Sequence, residues 1–250
     1  NIISRPYIDL TLHLMHEFGV AAEWSDFDTI RVKPQPYQQR AYTIESDWSA
    51  ASYWYEILAL TDDTQSKVAL QGLKDGSRQG DSTVRYIFSL LGIKTSFKEK
   101  GVNGMPEALL TRHSRMLNRM DYDFTNQPDL AQTLIAVCPV LGIPFHFTGL
   151  GTLKIKETDR IEAMKREMEK LGYILHEEEG TALSWTGERC EPMTQPTIDT
   201  YEDHRMAMSF APLAIKLGEI RINNPEVVSK SYPHYWADLR KAGFKIQQVD

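Results

Sequence analysis

Four times in these 250 residues a helical pattern runs out in a glycine and a strand pattern begins at once: Phe18-Gly19-Val20, Leu91-Gly92-Ile93, Leu171-Gly172-Tyr173 and Ala242-Gly243-Phe244. A glycine just past the last apolar residue of a helix is a C′ stop, because glycine enters the left-handed conformation at no steric cost. The stops punctuate a longer repeat. From Thr43 onward the chain reads strand, helix, strand, helix, then one or two strands, three times over. The spacing is about 55–80 residues, longer than most solenoid repeats. The first unit is TIESD, WSAASYWYEILAL, SKVALQGL, DSTVRYIFSLLG, IKTSFKEK and EALLTRH. The second is MDYDFTNQ, PDLAQTLIAVCPVLG, PFHFTGLGTLKI, a helix ending at Gly172, YILHEEE and ALSWTG. The third is TIDTYED, HRMAMSFAPLAIKLG, EIRINN, SYPHYWADLRKAG and FKIQQVD. Such alternation predicts an α/β fold, and three similar units predict pseudo-threefold packing in which helix starts can point to one place. Residues 1–45 read as a helix marked by Tyr7, Leu10, Leu14 and Phe18, two short strands, a loop and the strand AYTIE.

The helix of the second unit, within GLGTLKIKETDRIEAMKREMEKLG, carries an apolar stripe of Ile161, Met164, Met168 and Leu171 at helical spacing. Glu162/Arg166 and Lys165/Glu169 read as i,i+4 pairs, and Thr158 as the N-cap. Its start gathers cations: Lys154 and Lys156 precede the cap and Arg160 falls in the first turn. A cation at that end of the helix dipole costs about 0.3–1 kcal/mol. Two further helix starts repeat the anomaly. Asp203 caps a helix whose first turn holds His204 and Arg205, and Lys230 stands directly before a Ser231 cap. Long cationic side chains can snorkel into solvent; alternatively, three starts converging in space would form a pocket for phosphate and carboxylate groups.

The rest of the composition narrows the classes. Hydrophobic residues make up 42% and charged residues 25%, ordinary for a folded domain. The net charge of −6, with no Lys/Arg-rich block, argues against a nucleic-acid surface. Glu177-Glu178-Glu179 reads as a solvated hairpin. The two cysteines are far apart with no CxxC; Cys138 reads as core and Cys190 as a loop thiol, which predicts a reducing cytoplasm and no zinc site. No apolar run reaches the length of a membrane span, and the sequence reads as one without a signal peptide. The chain begins at Asn1 inside an apparent structural unit and reads as a portion of a longer polypeptide.

Grouping the anomalies gives Lys156, Arg160, Arg205 and Lys230 as cations, with Asp129, Glu157 and His204 among them. Arg supplies bidentate contacts to carboxylate or phosphate and Lys a point charge. Carboxylates embedded in such a cage weaken anion binding, so their useful role is proton transfer. Each first helix opens with an aspartate (Asp47, Asp129, Asp203), which capping alone also explains. No P-loop or GxGxxG fingerprint appears, and no metal-ligand spacing is convincing: Asp203-His204 is a weak pair that reads as cap and neighbour rather than as ligands.

These residues, in the segments SRPYID (4–9), PDLAQT (128–133), LKIKETDRIEAM (153–164), YEDHRMAMSFAPLA (201–214) and SKSYPHYW (229–236), strongly resemble the 5-enolpyruvylshikimate-3-phosphate synthase family along the whole chain. The chain matches the C-terminal portion of that enzyme. The resemblance implies two domains of βαβαββ units in an inside-out α/β barrel arrangement, with the site in the cleft between them. Residues 1–43 would finish the first domain and 44–250 form the second. It implies transfer of the enolpyruvyl group of phosphoenolpyruvate to the 5-hydroxyl of shikimate 3-phosphate with release of phosphate, in the shikimate pathway of aromatic amino acid biosynthesis, without metal or organic cofactor. By the same resemblance Asp129 accepts the hydroxyl proton and Glu157 protonates the methylene carbon. Lys156, Ser4 and Tyr7 hold shikimate 3-phosphate, and Arg160, Arg205 and Lys230, with His204 nearby, hold phosphoenolpyruvate.

Two departures are visible. Thr152 stands where many members carry an Asn against the sugar-like ring. The family's N-terminal Lys and Arg ligands, glycine loop and Ser-Ser-Gln triplet have no counterpart, so a missing N-terminal half is an expected partner. Two other readings are a UDP-sugar enolpyruvyl transferase, which Lys156–Arg160 and Asp203–Met208 disfavour, and a phospho-ligand-binding module without turnover.

Overall fold

The computed structural model describes residues 2–115 and 117–249; Asn1 and Asp250, at the ends of the segments read above, lie outside them. Helix α1 (Arg5–Glu17) leads to an antiparallel hairpin of β1 (Ala22–Asp26) and β2 (Thr29–Val32), with Ala22 opposite Val32. Residues 33–47 then run without helix or strand, so AYTIE is not a strand. Pro34 and Pro36 remove two backbone donors from this stretch, and it is pinned by single backbone bonds, Gln38 N–H to Phe18 O and Ser46 N–H to Gly72 O, rather than by a ladder.

The first unit contains α2 (Trp48–Leu60), β3 (Lys67–Gln71), α3 (Val84–Leu90), β4 (Ile93–Lys98) and β5 (Glu107–Arg112), with an antiparallel sheet in the order β3-β5-β4. The second contains β6 (Met120–Asp123), α4 (Ala131–Val140), β7 (Phe145–Thr148), α5 (Arg160–Lys170), β8 (His176–Glu178) and β9 (Ala182–Trp185). Its sheet runs β6-β7-β9-β8, with β6 and β7 parallel and the other pairs antiparallel. The third is abbreviated: β10 (Thr197–Ile198) pairs in parallel with β11 (Arg221–Ile222), beside α6 (His204–Phe210), α7 (Ala214–Leu217) and α8 (Tyr235–Lys241). The apolar run after Asp203 is not one helix, because Pro212 lacks an N–H and a 3-10 turn at Ala211–Leu213 separates α6 from α7. FKIQQVD forms no strand among its described residues; Phe244 and Ile246 pack instead against the cluster of Tyr53, Met208, Tyr235 and Leu239.

The first helices of the units, α2, α4 and α6, are buried on nearly every face and pack on one another at the centre. A helix that is apolar all round belongs inside. The sheets lie outside them, giving the inside-out arrangement anticipated above. Helix α5 turns Ile161, Met164 and Met168, all fully buried, against that core. Each contributes up to about 1.5–3 kcal/mol of burial. The glycine stops recur in structure: Gly172, at φ 89°, donates to Glu169 O while Tyr173 donates to Met168 O, and Gly19 and Gly243 end α1 and α8 in the same way. This Schellman closure satisfies carbonyls that the helix end leaves open.

Candidate active site

The site is built around the start of α5. Its N-cap is Asp159, not Thr158: the Asp159 carboxylate accepts the Glu162 N–H at 3.1 Å, and a charged acceptor is the stronger cap at the positive end of a helix. Arg160 is thereby the first helical residue. Its side chain, 2% exposed, turns inward and meets three carboxylates. Nε donates to Asp203 Oδ2 at 2.6 Å, Nη2 to Glu157 Oε2 at 2.7 Å and Nη1 to Asp129 Oδ1 at 3.2 Å.

Asp203 does two tasks from a fully buried position. It caps α6 by accepting the Arg205 N–H at 2.8 Å, and it anchors Arg160. The turn before it is unusual, since Tyr201 (φ 52°) and Glu202 (φ 58°) both adopt the left-handed conformation, at about 1–2 kcal/mol each for residues with a Cβ. The Tyr201 hydroxyl holds the turn by donating to buried Glu167 at 2.6 Å.

Asp129 is not a helix cap. It lies in the 3-10 turn Pro128–Leu130 that precedes α4, and its carboxylate faces cations: Arg205 Nη2 at 2.9 Å, Arg160 at 3.2 Å and Lys156 Nζ at 3.5 Å. Glu157 joins Arg160 to Lys230, whose Nζ donates to Glu157 Oε1 at 3.1 Å. Lys230 itself ends a 3-10 segment, Pro225–Lys230, and α8 begins only at Tyr235, so this cation is not at a helix start. Pro233 disfavours helical geometry at Tyr232 and delays the helix. Lys154 lies apart, paired with Glu177 at 2.7 Å on the β8–β9 hairpin; Lys165 reaches Glu162 and Glu177 rather than Glu169, so that hairpin is partly neutralised. The Glu162–Arg166 pair forms at 2.8 Å.

Lys156, Arg160, Arg205 and Lys230 therefore converge with Asp129, Glu157 and Asp203 in one network. The cations that would burden the helix starts are neutralised by the chain's own carboxylates. Burial pushes the Asp129 carboxyl up, but Arg205, Lys156 and Arg160 together hold it below its ordinary range. Partial burial likewise raises Glu157, and its own backbone N–H, Arg160 and Lys230 overcome that and pull it down to about 2. Both are ionised at neutral pH. As it stands Asp129 can accept a proton, whereas Glu157 must first gain one. An anion bound on Arg160 and Lys230 would weaken their pull on Glu157 and raise its proton affinity.

The other expected residues sit around this network. His204 is buried, with Nδ1 3.8 Å from Asp203; burial and then Arg205 lower its pKa, so it is neutral near pH 7. Thr152 lies in the 3-10 turn Gly151–Ile155 with its hydroxyl buried and unpartnered, and it does not join the network. Ser4 is held by its backbone N–H to Thr125 O at 3.1 Å. Tyr7 donates to Asp81 Oδ1 at 3.0 Å. Sequence reasoning missed Asp203 as the Arg160 anchor, Tyr53 beside Arg205 at 3.4 Å, and Asp81 with its second donor Ser49. A buried aspartate is visible in sequence only when its partner is known. Among the described residues no group of three or more His, Cys, Asp or Glu is placed to hold a metal ion, and no helix is long and apolar enough to cross a membrane.

The family model described as EPSP synthase (3-phosphoshikimate 1-carboxyvinyltransferase) matches residues 1–239. A 3-phosphoshikimate 1-carboxyvinyltransferase of Bacteroides fragilis is 55% identical over 246 residues, covering 98% of this chain and 58% of the relative. The same enzyme of Methanosphaerula palustris is 31% identical, covering 96% of this chain and 54% of its own length. Among solved structures, EPSP synthase from Acinetobacter baumannii aligns with a TM-score of 0.68 at 19% identity, over 95% of this chain and 55% of that one. The enolpyruvyl transferase NikO from Streptomyces tendae gives 0.63 at 16%, over 98% and 54%. The chain thus spans a little over half the length of these relatives. On the family match across nearly all of its length, it belongs to the EPSP synthase (3-phosphoshikimate 1-carboxyvinyltransferase) family.

Proposed function

We propose that this chain supplies one wall of an active site that transfers the enolpyruvyl group of phosphoenolpyruvate to the 5-hydroxyl of shikimate 3-phosphate and releases phosphate. The observation that carries this reading is the junction at Arg160, where two ionised carboxylates of different surroundings, Asp129 and Glu157, share a cage of four cations. Arg160, Arg205 and Lys230 bind the carboxylate and phosphate of phosphoenolpyruvate, displacing the chain's own carboxylates. Asp129 takes the proton of the acceptor hydroxyl as its oxygen attacks the substituted vinyl carbon, and Lys156 steadies that hydroxyl. Glu157, its proton affinity raised by the bound anion, delivers a proton to the methylene carbon. As the adduct collapses and expels phosphate, Glu157 takes one proton back from the new methyl group, restoring the double bond. Ser4 and Tyr7 bind shikimate 3-phosphate from the segment 1–43, which we assign to a first domain, with 44–250 as the second; Thr152 lines the acceptor side. Because the relatives are longer than the matched region, we assign the opposite wall to a further segment of the same enzyme. This biosynthetic role fits a cytoplasmic protein.

The test is phosphate release from phosphoenolpyruvate by the complete protein. Release that requires shikimate 3-phosphate, and is not supported by a UDP-sugar acceptor, is the expected result. Binding of both ligands without release would replace the enzyme with a phospho-ligand-binding protein. Isolated residues 1–250 should bind phosphoenolpyruvate weakly and in a salt-sensitive way, because one wall leaves the charges in water.

A further inference from the structure

Asp81 lies outside the cation network, yet it is only 2% exposed and, among the described residues, is a carboxylate without a cationic partner at hydrogen-bond distance. It sits in the 3-10 turn Gly80–Thr83 that leads into α3. Two hydroxyls point at it from different parts of the chain: Tyr7 of α1 donates to Oδ1 at 3.0 Å, and Ser49, in the first turn of α2, donates to Oδ2. The neighbouring Gly80 admits this approach, since a Cβ there would lie 2.7 Å from Pro6. Ser4 N–H to Thr125 O adds a third tie at 3.1 Å. The first turn of α1 is therefore fastened to two segments that flank the site, and Asp81 and Tyr7 are both close enough to Asp129 and Arg205 to sense their charges. Burying a carboxylate costs free energy that two neutral hydroxyl donors offset only in part.

We propose that Asp81 is a positioning residue: it fixes the Tyr7 hydroxyl, and with it the first turn of α1, beside the Asp129–Arg205 end of the site before a ligand arrives. The proposal rests on the functional reading above, in which Tyr7 contacts shikimate 3-phosphate. A tyrosine hydroxyl has one proton. Committed to Asp81, it holds the ring in one orientation, so the ligand meets a pre-ordered wall and need not order it on binding. Asp81 acts through Tyr7 and touches no reacting atom.

The experiment is a double-mutant cycle in the complete protein, read by calorimetric binding of shikimate 3-phosphate and by steady-state kinetics. Tyr7→Phe and Asp81→Leu should each raise the Kd by roughly fivefold, and the double variant should be no more than about twofold worse than the worse single variant, because both remove one interaction. Each should raise KM more than it lowers kcat. Asp81→Asn can turn its one oxygen to the Tyr7 hydroxyl while its NH2 donates to the Ser49 hydroxyl, which reverses its role, so it should bind within about threefold of wild type and covers the case in which the leucine variant does not fold. Effects of Tyr7→Phe and Asp81→Leu that multiply, or an Asp81→Asn variant no better than Asp81→Leu, would overturn the proposal while leaving the functional reading intact. If Asp81→Leu does not fold, an Asp81→Asn variant weakened by fivefold or more overturns it alone. A wild-type protein that does not bind shikimate 3-phosphate overturns the functional reading and this proposal with it.

Discussion

Replacing Asp203 with alanine should destabilise the protein by about 3 kcal/mol. Asp203 is fully buried and accepts from Arg160 Nε at 2.6 Å and Nη2 at 3.4 Å. Removing one partner of a buried ion pair costs about 3–5 kcal/mol, because the other charge is left in a poor solvent. The loss of the α6 cap adds about 1 kcal/mol. Against this, Arg160 keeps Glu157 at 2.7 Å and Asp129 at 3.2 Å, which lowers the ion-pair contribution to about 2 kcal/mol and the total to about 3 kcal/mol. For a chain of this size each kcal/mol moves the thermal midpoint by roughly 2–4 °C, so a fall of about 6–12 °C is expected. Urea unfolding, with the slope m checked for constancy, provides the free energy. Asp203→Asn, which keeps the cap acceptor but loses the charge, should fall between. An Asp203→Ala midpoint within about 2 °C of wild type would refute the claim that Asp203 anchors the network.

Three further outcomes follow from the same geometry. In the complete protein, Asp129→Asn and Glu157→Gln should each lower kcat by about 10²-fold or more while changing ligand Kd much less, as measured by single-turnover kinetics and calorimetry. Arg205→Ala should weaken phosphoenolpyruvate binding by roughly tenfold or more, since it removes a charge-assisted contact worth about 1.5–3 kcal/mol. Because the folded-state pKa of Glu157 is depressed from 4.5 to about 2, its contribution to stability is present above pH 4.5 and is lost as pH falls toward 2; melting curves of Glu157→Gln should show a shallower decline across that window.

The alternation of elements, the glycine stops and the buried faces were legible because each rests on a local rule. Gly172 must take a positive φ, and Ile161, Met164 and Met168 must share a face. The cation cluster was legible too, though partly for the wrong reason. Arg160 and Arg205 do stand at helix starts, whereas Lys230 reaches the site from a 3-10 segment because Pro233 postpones α8. Thr158 and Asp159 compete for one capping position, and pattern alone could not choose the carboxylate. The strands expected at AYTIE and FKIQQVD have suitable alternation, but a strand needs a neighbour; the first has no ladder, its stretch being held by single backbone bonds at Gln38 and Ser46, and the second places its apolar residues on the cluster around Tyr235. Asp203 and Asp81 were invisible as partners because Arg160 is 43 residues from the one and Tyr7 is 74 from the other.

The central claim is that Asp129 and Glu157 face a reacting centre between the cations, with Glu157 exchanging a proton with the methylene carbon. Mass spectrometry of the product formed in D2O by the complete protein tests it directly. A proton delivered from Glu157 exchanges with solvent, and the transient methyl group loses any one of its three hydrogens, so the wild-type product should carry deuterium in its methylene group. Glu157→Gln should give neither product nor labelled phosphoenolpyruvate at a comparable rate. Wild-type product free of deuterium, or labelling by Glu157→Gln at the wild-type rate, would contradict the account.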